Sequence, residues 1–174
     1  MIVLGVDPGA GVTGYGVVDD GRDGRRPVLI ECGAIRSTTR RPLADRLLEI
    51  FRGVTEVIDR TRPDVMSVEG VFYGQNVRTT VVLGHARGAV LLAAALRGVP
   101  VTEYPPAEIK SAVVGTGAAR KGQVAFMVQK HLSLGEPPEP ADAADGVAVA
   151  LCHLFRGDLG RGRKSGGVGR KRRD

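Results

Sequence analysis

The 174-residue sequence has no tryptophan, only two cysteines, and few aromatic residues of any kind, 4% in all. Cys32 and Cys152 stand far apart and outside any C-x-x-C pair. That excludes a disulfide framework and a thiolate zinc site, and it fits a reducing compartment, the cytoplasm. Long apolar runs are also missing. The longest unbroken one is Ala89 to Leu96, well below the roughly 20 residues that a membrane span needs. The N-terminus, MIVLGVD, has no basic n-region and meets Asp7 after a few apolar positions, so it reads as a buried strand rather than a signal peptide. His85, His131 and His153 show no paired metal spacing and read as packed or surface histidines. No serine sits in a nucleophile elbow. Repeats and internal linkers are absent, and the length favours one domain.

The formal net charge of +6 is not a property of the body. From Arg156 to Asp174 there are eight Lys/Arg and two Asp, whereas residues 1–155 hold 17 basic and 17 acidic residues. The excess therefore lies in GDLGRGRKSGGVGRKRRD, a Gly-rich segment with little apolar surface to bury, which is expected to be disordered. The expected organisation is a folded domain over 1–156 and a basic tail over 157–174. The tail can bind phosphates or serve solubility alone, so the body must supply the function.

Residues 2–7 read as an apolar strand stopped by Pro8-Gly9. Gly14 to Val18 and Val28 to Ile35 follow as a second and third strand, joined by a hairpin-type connection, which predicts an antiparallel meander. Pro42 opens an amphipathic helix with Leu43, Leu47, Ile50, Phe51, Val54, Val57 and Ile58 on one face, and Pro63 stops it. Short strands are expected at Val65 to Glu69 and Val101 to Tyr104, on either side of an Ala-rich helix from about Val77 to Arg97. Helices are expected at Ala107 to Val114, Gln123 to Leu132 and Ala141 to Phe155. Three strands in a meander followed by strand–helix–strand crossovers predict an α/β fold, a five-stranded mixed sheet with helices on both faces.

Several motifs fail on mechanism. Gly9, Gly11 and Gly14 match G-x-G-x-x-G after a strand, but the glycines of a dinucleotide site must open a helix that takes the pyrophosphate, and here a strand follows. Gly157 to Gly162 has P-loop spacing with Arg163 in place of the lysine and no strand before it. The acids are more informative. Asp7 ends the first strand and Glu69 the fourth, while Asp142 and Asp145, three apart, share one face of the last helix. Asp before Pro-Gly is also an ordinary turn residue, and acids in the first turn of a helix meet its dipole. Glu69 is harder to dismiss, because a carboxylate on a buried strand is costly unless paired or metal-bound. If the first and fourth strands are adjacent and parallel, Asp7 and Glu69 end side by side, where sites form in open α/β sheets. Four convergent carboxylates imply hard divalent cations held by oxygen.

The ordered blocks VDPGAGVTGYGV, VEGVFYGQN, LGHARGAV, IKSAVVGTGAARKGQV and ADAADGVAVA resemble the RuvC family of Holliday-junction endonucleases over roughly residues 1–156. The resemblance implies a ribonuclease-H-like fold and a homodimer. It also implies Mg²⁺-dependent cleavage of two symmetry-related strands of a four-way DNA junction, with two ions per site and Mn²⁺ as a substitute. The family's four catalytic and metal-binding acids fall on Asp7, Glu69, Asp142 and Asp145; the third position is His in some members. Lys110 and Lys121 match lysines that contact DNA near the scissile phosphate. Phe72, three residues beyond Glu69, becomes a candidate for stacking on or wedging between bases, with Tyr73 as the substitute if Phe72 is buried. Arg78, Arg87 and Arg120 are either phosphate contacts or solvated surface. Gly84-x-x-x-Gly88 suits a buried helix or the family's dimer interface. Partnership with the branch-migration proteins RuvA and RuvB is an implication of the family alone.

Three other readings compete. A phosphotransferase of the actin/sugar-kinase fold shares the D-x-G turn but needs two such domains to clamp ATP. A non-catalytic junction-binding protein would have lost the acids. A related nuclease of the same fold would act on another branched or RNA-containing substrate.

Overall fold

The computed structural model describes residues 1–21, 26–38, 40–70 and 77–161, the last four by their backbone alone. Its elements are β1 (Ile2–Asp7), β2 (Val12–Asp19), β3 (Val28–Arg36), α1 (Leu43–Thr61), β4 (Val65–Glu69), α2 (Val77–Leu96), β5 (Val101–Tyr104), α3 (Pro106–Val114), α4 (Lys121–His131) and α5 (Ala141–Arg161). The strands form one sheet in the order β3-β2-β1-β4-β5. β1, β2 and β3 are the expected antiparallel meander. β4 and β5 extend it in parallel from β1. The antiparallel half needs only hairpin turns, whereas each parallel strand needs a helical crossover.

The two-residue period of the strands sorts side chains between two layers. On one face Leu4, Val6, Val17, Met66 and Val68 pack under α1 and α2. On the other, Val3, Val18 and Val65 pack with α3, α4 and α5. Asp7 shares the parity of Val3, and Glu69 that of Val65, so both acids belong to the α5 face. The buried Ser67 hydroxyl donates to the carbonyl of Val149 at 3.1 Å, tying β4 to α5 between them.

α5 lies almost against the sheet because the residues beneath it have no side chains. A Cβ at Gly5 would collide with the backbone of Gly146 and Ala150, and one at Gly14 with the carbonyl of Asp142. Gly14, the last glycine of the G-x-G-x-x-G pattern, therefore admits a helix instead of a pyrophosphate.

The remaining helices match the sequence expectation closely. α1 ends in a left-handed Arg62, whose amide bonds the Ile58 carbonyl before Pro63. α5 differs: expected to stop at Phe155, it continues to Arg161. Gly157 and Gly160 read as breaks, but extending an established helix is far easier than nucleating one. Part of the segment assigned to the tail thus carries helical backbone, and residues 162–174 lie outside the described residues. α2 also differs. It is long and apolar enough to cross a membrane by length and composition, despite its short unbroken apolar run. Ala86, Ala89, Val90, Ala93 and Ala94 are buried, so one face belongs to the core of the sheet layer. Val81, Leu92 and Leu96 are exposed. Cβ atoms at Gly84 and Gly88 would meet nothing within 4 Å, so the two glycines do not serve a close helix contact within the chain.

Candidate active site

Parallel pairing of β1 with β4 sets Val6 beside Val68, which brings Asp7 and Glu69 out side by side at the carboxyl edge of the sheet. α5 supplies the other acids from above. Its first turn, opened by the Ala143 amide bonding the Pro140 carbonyl at 2.8 Å, carries Asp142, and Asp145 follows one turn later. The four acids expected from the sequence are thereby drawn into one neighbourhood, in which Asp142 and Asp145 both act electrostatically on Asp7. A cleft of about 190 Å³ opens there, lined by Asp7, Glu69, Asp145, Lys110 and Lys121 over an apolar wall that includes Ile109 and Val124.

The two lysines come from helices whose starts are fixed locally. α3 begins with Pro106 in its first turn and ends at left-handed Gly115, placing Lys110 mid-helix. At the start of α4 the Gln123 side chain accepts from the Arg120 amide at 2.8 Å, which fixes Lys121 as the first helical residue. The Lys121 ammonium stands 2.5 Å from Asp145 Oδ2 and 3.7 Å from Asp142 Oδ1. The hydrogen bond to Asp145 raises the lysine's pKa.

Burial and crowding dominate the electrostatics of the other pair. Burial first, then the Asp145 carboxylate, pushes Asp7 up to about 6. Burial, followed by Asp7 and Asp145, pushes Glu69 up to about 7, with Lys110 opposing. The hydrogen bond between them lowers Asp7 and raises Glu69. Asp7 and Glu69, raised first by burial, thus sit beside two further carboxylates that share a single lysine. Among the described residues, no three His, Cys, Asp or Glu side chains stand close enough to ligate one ion as placed.

Other candidates fall elsewhere. Phe72 and Tyr73 lie outside the described residues. Arg87 is ion-paired with Glu103, which leaves it structural work, while Arg78 and Arg120 are exposed. The histidines are packed or on the surface: His153 meets the Tyr104 hydroxyl at 3.0 Å, His131 the Val113 carbonyl at 2.8 Å, and exposed His85 the Val81 carbonyl of its own helix.

Sequence reasoning missed what pins the turn after Asp7. Ser37, 6% exposed, donates its hydroxyl to the Ala10 carbonyl at 3.3 Å, and its amide bonds the Gly11 carbonyl at 2.9 Å. Arg46 donates to the same Ala10 carbonyl. A serine far along the chain gives no local signal of such a role, since the pairing of β2 with β3 creates it.

The sequence model of the crossover junction endodeoxyribonuclease RuvC family matches residues 3–153. The chain is 52% identical over 157 residues to a crossover junction endodeoxyribonuclease RuvC of Parafrankia sp. (strain EAN1pec), a stretch covering 90% of this chain and 88% of that one. It is 47% identical over 153 residues to the protein of the same description from Pelotomaculum thermopropionicum, covering 88% and 92%. Among solved structures it superposes on Thermus thermophilus RuvC in complex with Holliday junction substrate with a TM-score of 0.85 at 38% identity, covering 92% and 96% of the two chains. The sheet and its helices are the ribonuclease-H-like fold, and the chain belongs to the RuvC family of crossover junction endodeoxyribonucleases.

Proposed function

We propose that this chain resolves four-way DNA junctions in recombination and repair, hydrolysing phosphodiesters in two strands of like polarity, with Asp7, Glu69, Asp142 and Asp145 as its catalytic acids. The observation that carries this reading is the gathering of four carboxylates and two lysines at one sheet edge, in a chain similar to an enzyme whose structure holds a Holliday junction.

The family's nucleases are metal-dependent, and the donor set here fits a hard divalent cation on two grounds. It is all carboxylate oxygen, and Asp7 and Glu69, raised first by burial and then by the neighbouring carboxylates, would have their charged forms favoured beside a cation. Mg²⁺, with Mn²⁺ as a substitute, would be held as a pair by Asp7, Glu69, Asp142 and Asp145. When bound, such a pair supplies an activated water and a stabilised leaving oxygen. The chain's own residues do the rest. Lys110 and Lys121 neutralise the phosphates on either side of the cut. Ile109 and Val124 form a dry wall that strengthens these interactions. Phe72 stacks on a base opened at the crossover.

Cutting two strands symmetrically asks for two sites related by a two-fold axis. We assign the homodimer contact to the exposed apolar face of α2 and the groove of about 400 Å³ between α1 and α2, lined by Leu47, Leu48, Phe51, His85, Gly88 and Leu92. RuvA and RuvB are the partners this role implies, and the cytoplasm its location.

One assay tests the reading. The protein is incubated with Mg²⁺ and, separately, a four-way DNA junction, linear duplex, an RNA–DNA hybrid and ATP. The junction alone should be consumed, by paired nicks in two strands of like polarity. Consumption of the hybrid in preference would point to a related nuclease, and binding without cutting to a non-catalytic role.

A further inference from the structure

The sequence from Arg36 to Arg46 carries four arginines against one acid, Asp45, a concentration that the neutral body conceals. The fold places it beside the acids. Arg36 ends β3 opposite Val12 of β2, while Asp7 of β1 pairs with Gly14. Two strand spacings sideways and two residues outward put the Cα atoms of Arg36 and Asp7 about 12 Å apart, on one sheet edge. An open depression of about 570 Å³ lies there, lined by Gly11, Val12, Arg36, Ser37, Arg41 and Glu49.

Its floor is firm, because Ser37 and Arg46 both bond the Ala10 carbonyl beneath it. Glu49 is ion-paired with Arg41, offsetting that charge and holding the guanidinium at the wall. Arg36 is exposed and has no ion-pair partner among the described residues. The acid cleft presents carboxylates, whereas this neighbour presents guanidinium groups, whose forked donors suit phosphate. Its volume suits a length of sugar–phosphate chain better than a lone ion.

We infer that the depression is a second anchor for the backbone of the cut strand, taking phosphates about three to four nucleotides from the scissile one at about 3.4 Å of axis per nucleotide. This rests on the junction-nuclease reading. Lys110 and Lys121 hold the strand at the acids, and Arg36 and Arg41 fix its direction beyond them, across the turn that Asp7 opens.

The test is binding of the full chain to a four-way DNA junction in EDTA over a salt series. Arg36→Ala should lower the log–log salt slope by about 0.9, as expected when one phosphate goes unneutralised. Arg36→Ala/Arg41→Ala should lower it further but by less than a second 0.9 or so, because Glu49 already offsets part of the Arg41 charge. Arg36→Lys should restore the slope. A junction whose cut strand ends within two nucleotides of the crossover should bind the parent and the double variant equally. Slopes unchanged by the substitutions, or an equal loss on intact and shortened junctions, would overturn the anchor. Because Arg36 has no ion pair to break, the single variant keeps the test independent of folding. A parent protein that showed no preference for junction over linear duplex would sink the junction reading instead, and the slope difference on duplex would still decide the anchor.

Discussion

At the scale of single residues, the acids of the cleft work against the fold that holds them. The folded protein binds protons on Asp7 and Glu69 more tightly than the unfolded chain does, with values near 6 and 7 against ordinary values of 3.8 and 4.5. Without metal, the contribution of these two groups to stability is therefore fully present at and below about pH 4 and is lost as pH rises through the window to about 7. Asp7→Asn should abolish cleavage, since the amide cannot hold a cation, yet stabilise the metal-free protein at pH 8 by on the order of 1–3 kcal/mol. Thermal melts in EDTA at pH 4.5 and pH 8 check this. The gain should appear at the higher pH and shrink at the lower, and an equal or negative change at both would refute it. Asp7 and Glu69 were legible in the sequence because each closes an apolar strand, and Asp142 and Asp145 because their spacing shares a helix face. The contact of Lys121 with Asp145 was not, since it depends on how the starts of α4 and α5 meet. Arg36 was hidden by a charge count that averages over the body.

Elements were readable wherever period or punctuation was strong. β1, β4 and β5 have the bounds that their apolar runs and following prolines or acids suggest, and α1 follows its stripe. The helix end that was misread was one where glycine was treated as a break: Gly157 and Gly160 did not end α5. Gly14, already rejected in the sequence as part of a phosphate loop, proved to be a seat for that helix. What glycine does depends on what approaches it, which no local pattern contains. Gly14→Ala is the sharpest check. Its methyl group would strike the Asp142 carbonyl, so α5 must lift or the sheet must bend. Overpacking of this kind costs about 1–3 kcal/mol, and the displaced Asp142 and Asp145 should lower cleavage at least tenfold. Gly88→Ala, where a methyl meets open space, serves as the contrast within the monomer and should leave monomer stability unharmed.

For the molecule as a whole, two surfaces decide how it meets its surroundings. Leu92 is 54% exposed on α2, beside the α1–α2 groove. If α2 carries the proposed two-fold contact, Leu92→Glu should shift the protein to monomers in sedimentation and remove paired cutting, while single nicks persist at a reduced rate. An unchanged sedimentation coefficient would place the two-fold contact elsewhere. Truncation after Arg161 removes six Lys/Arg and one Asp. It should weaken junction binding and flatten its salt dependence by about 0.9 for each phosphate that the tail had neutralised, with the catalytic step intact. An identical slope would mean that those cations do not touch DNA. The docking of α5 on β1 and β2 carries a consequence in time. Domains fold as the ribosome delivers them, N-terminal parts first, and the strands bearing Asp7 and Glu69 emerge long before Asp142 and Asp145. A nascent chain thus holds half of the proposed set of acids until α5 emerges, and the capacity to cut DNA waits on the docking of that helix.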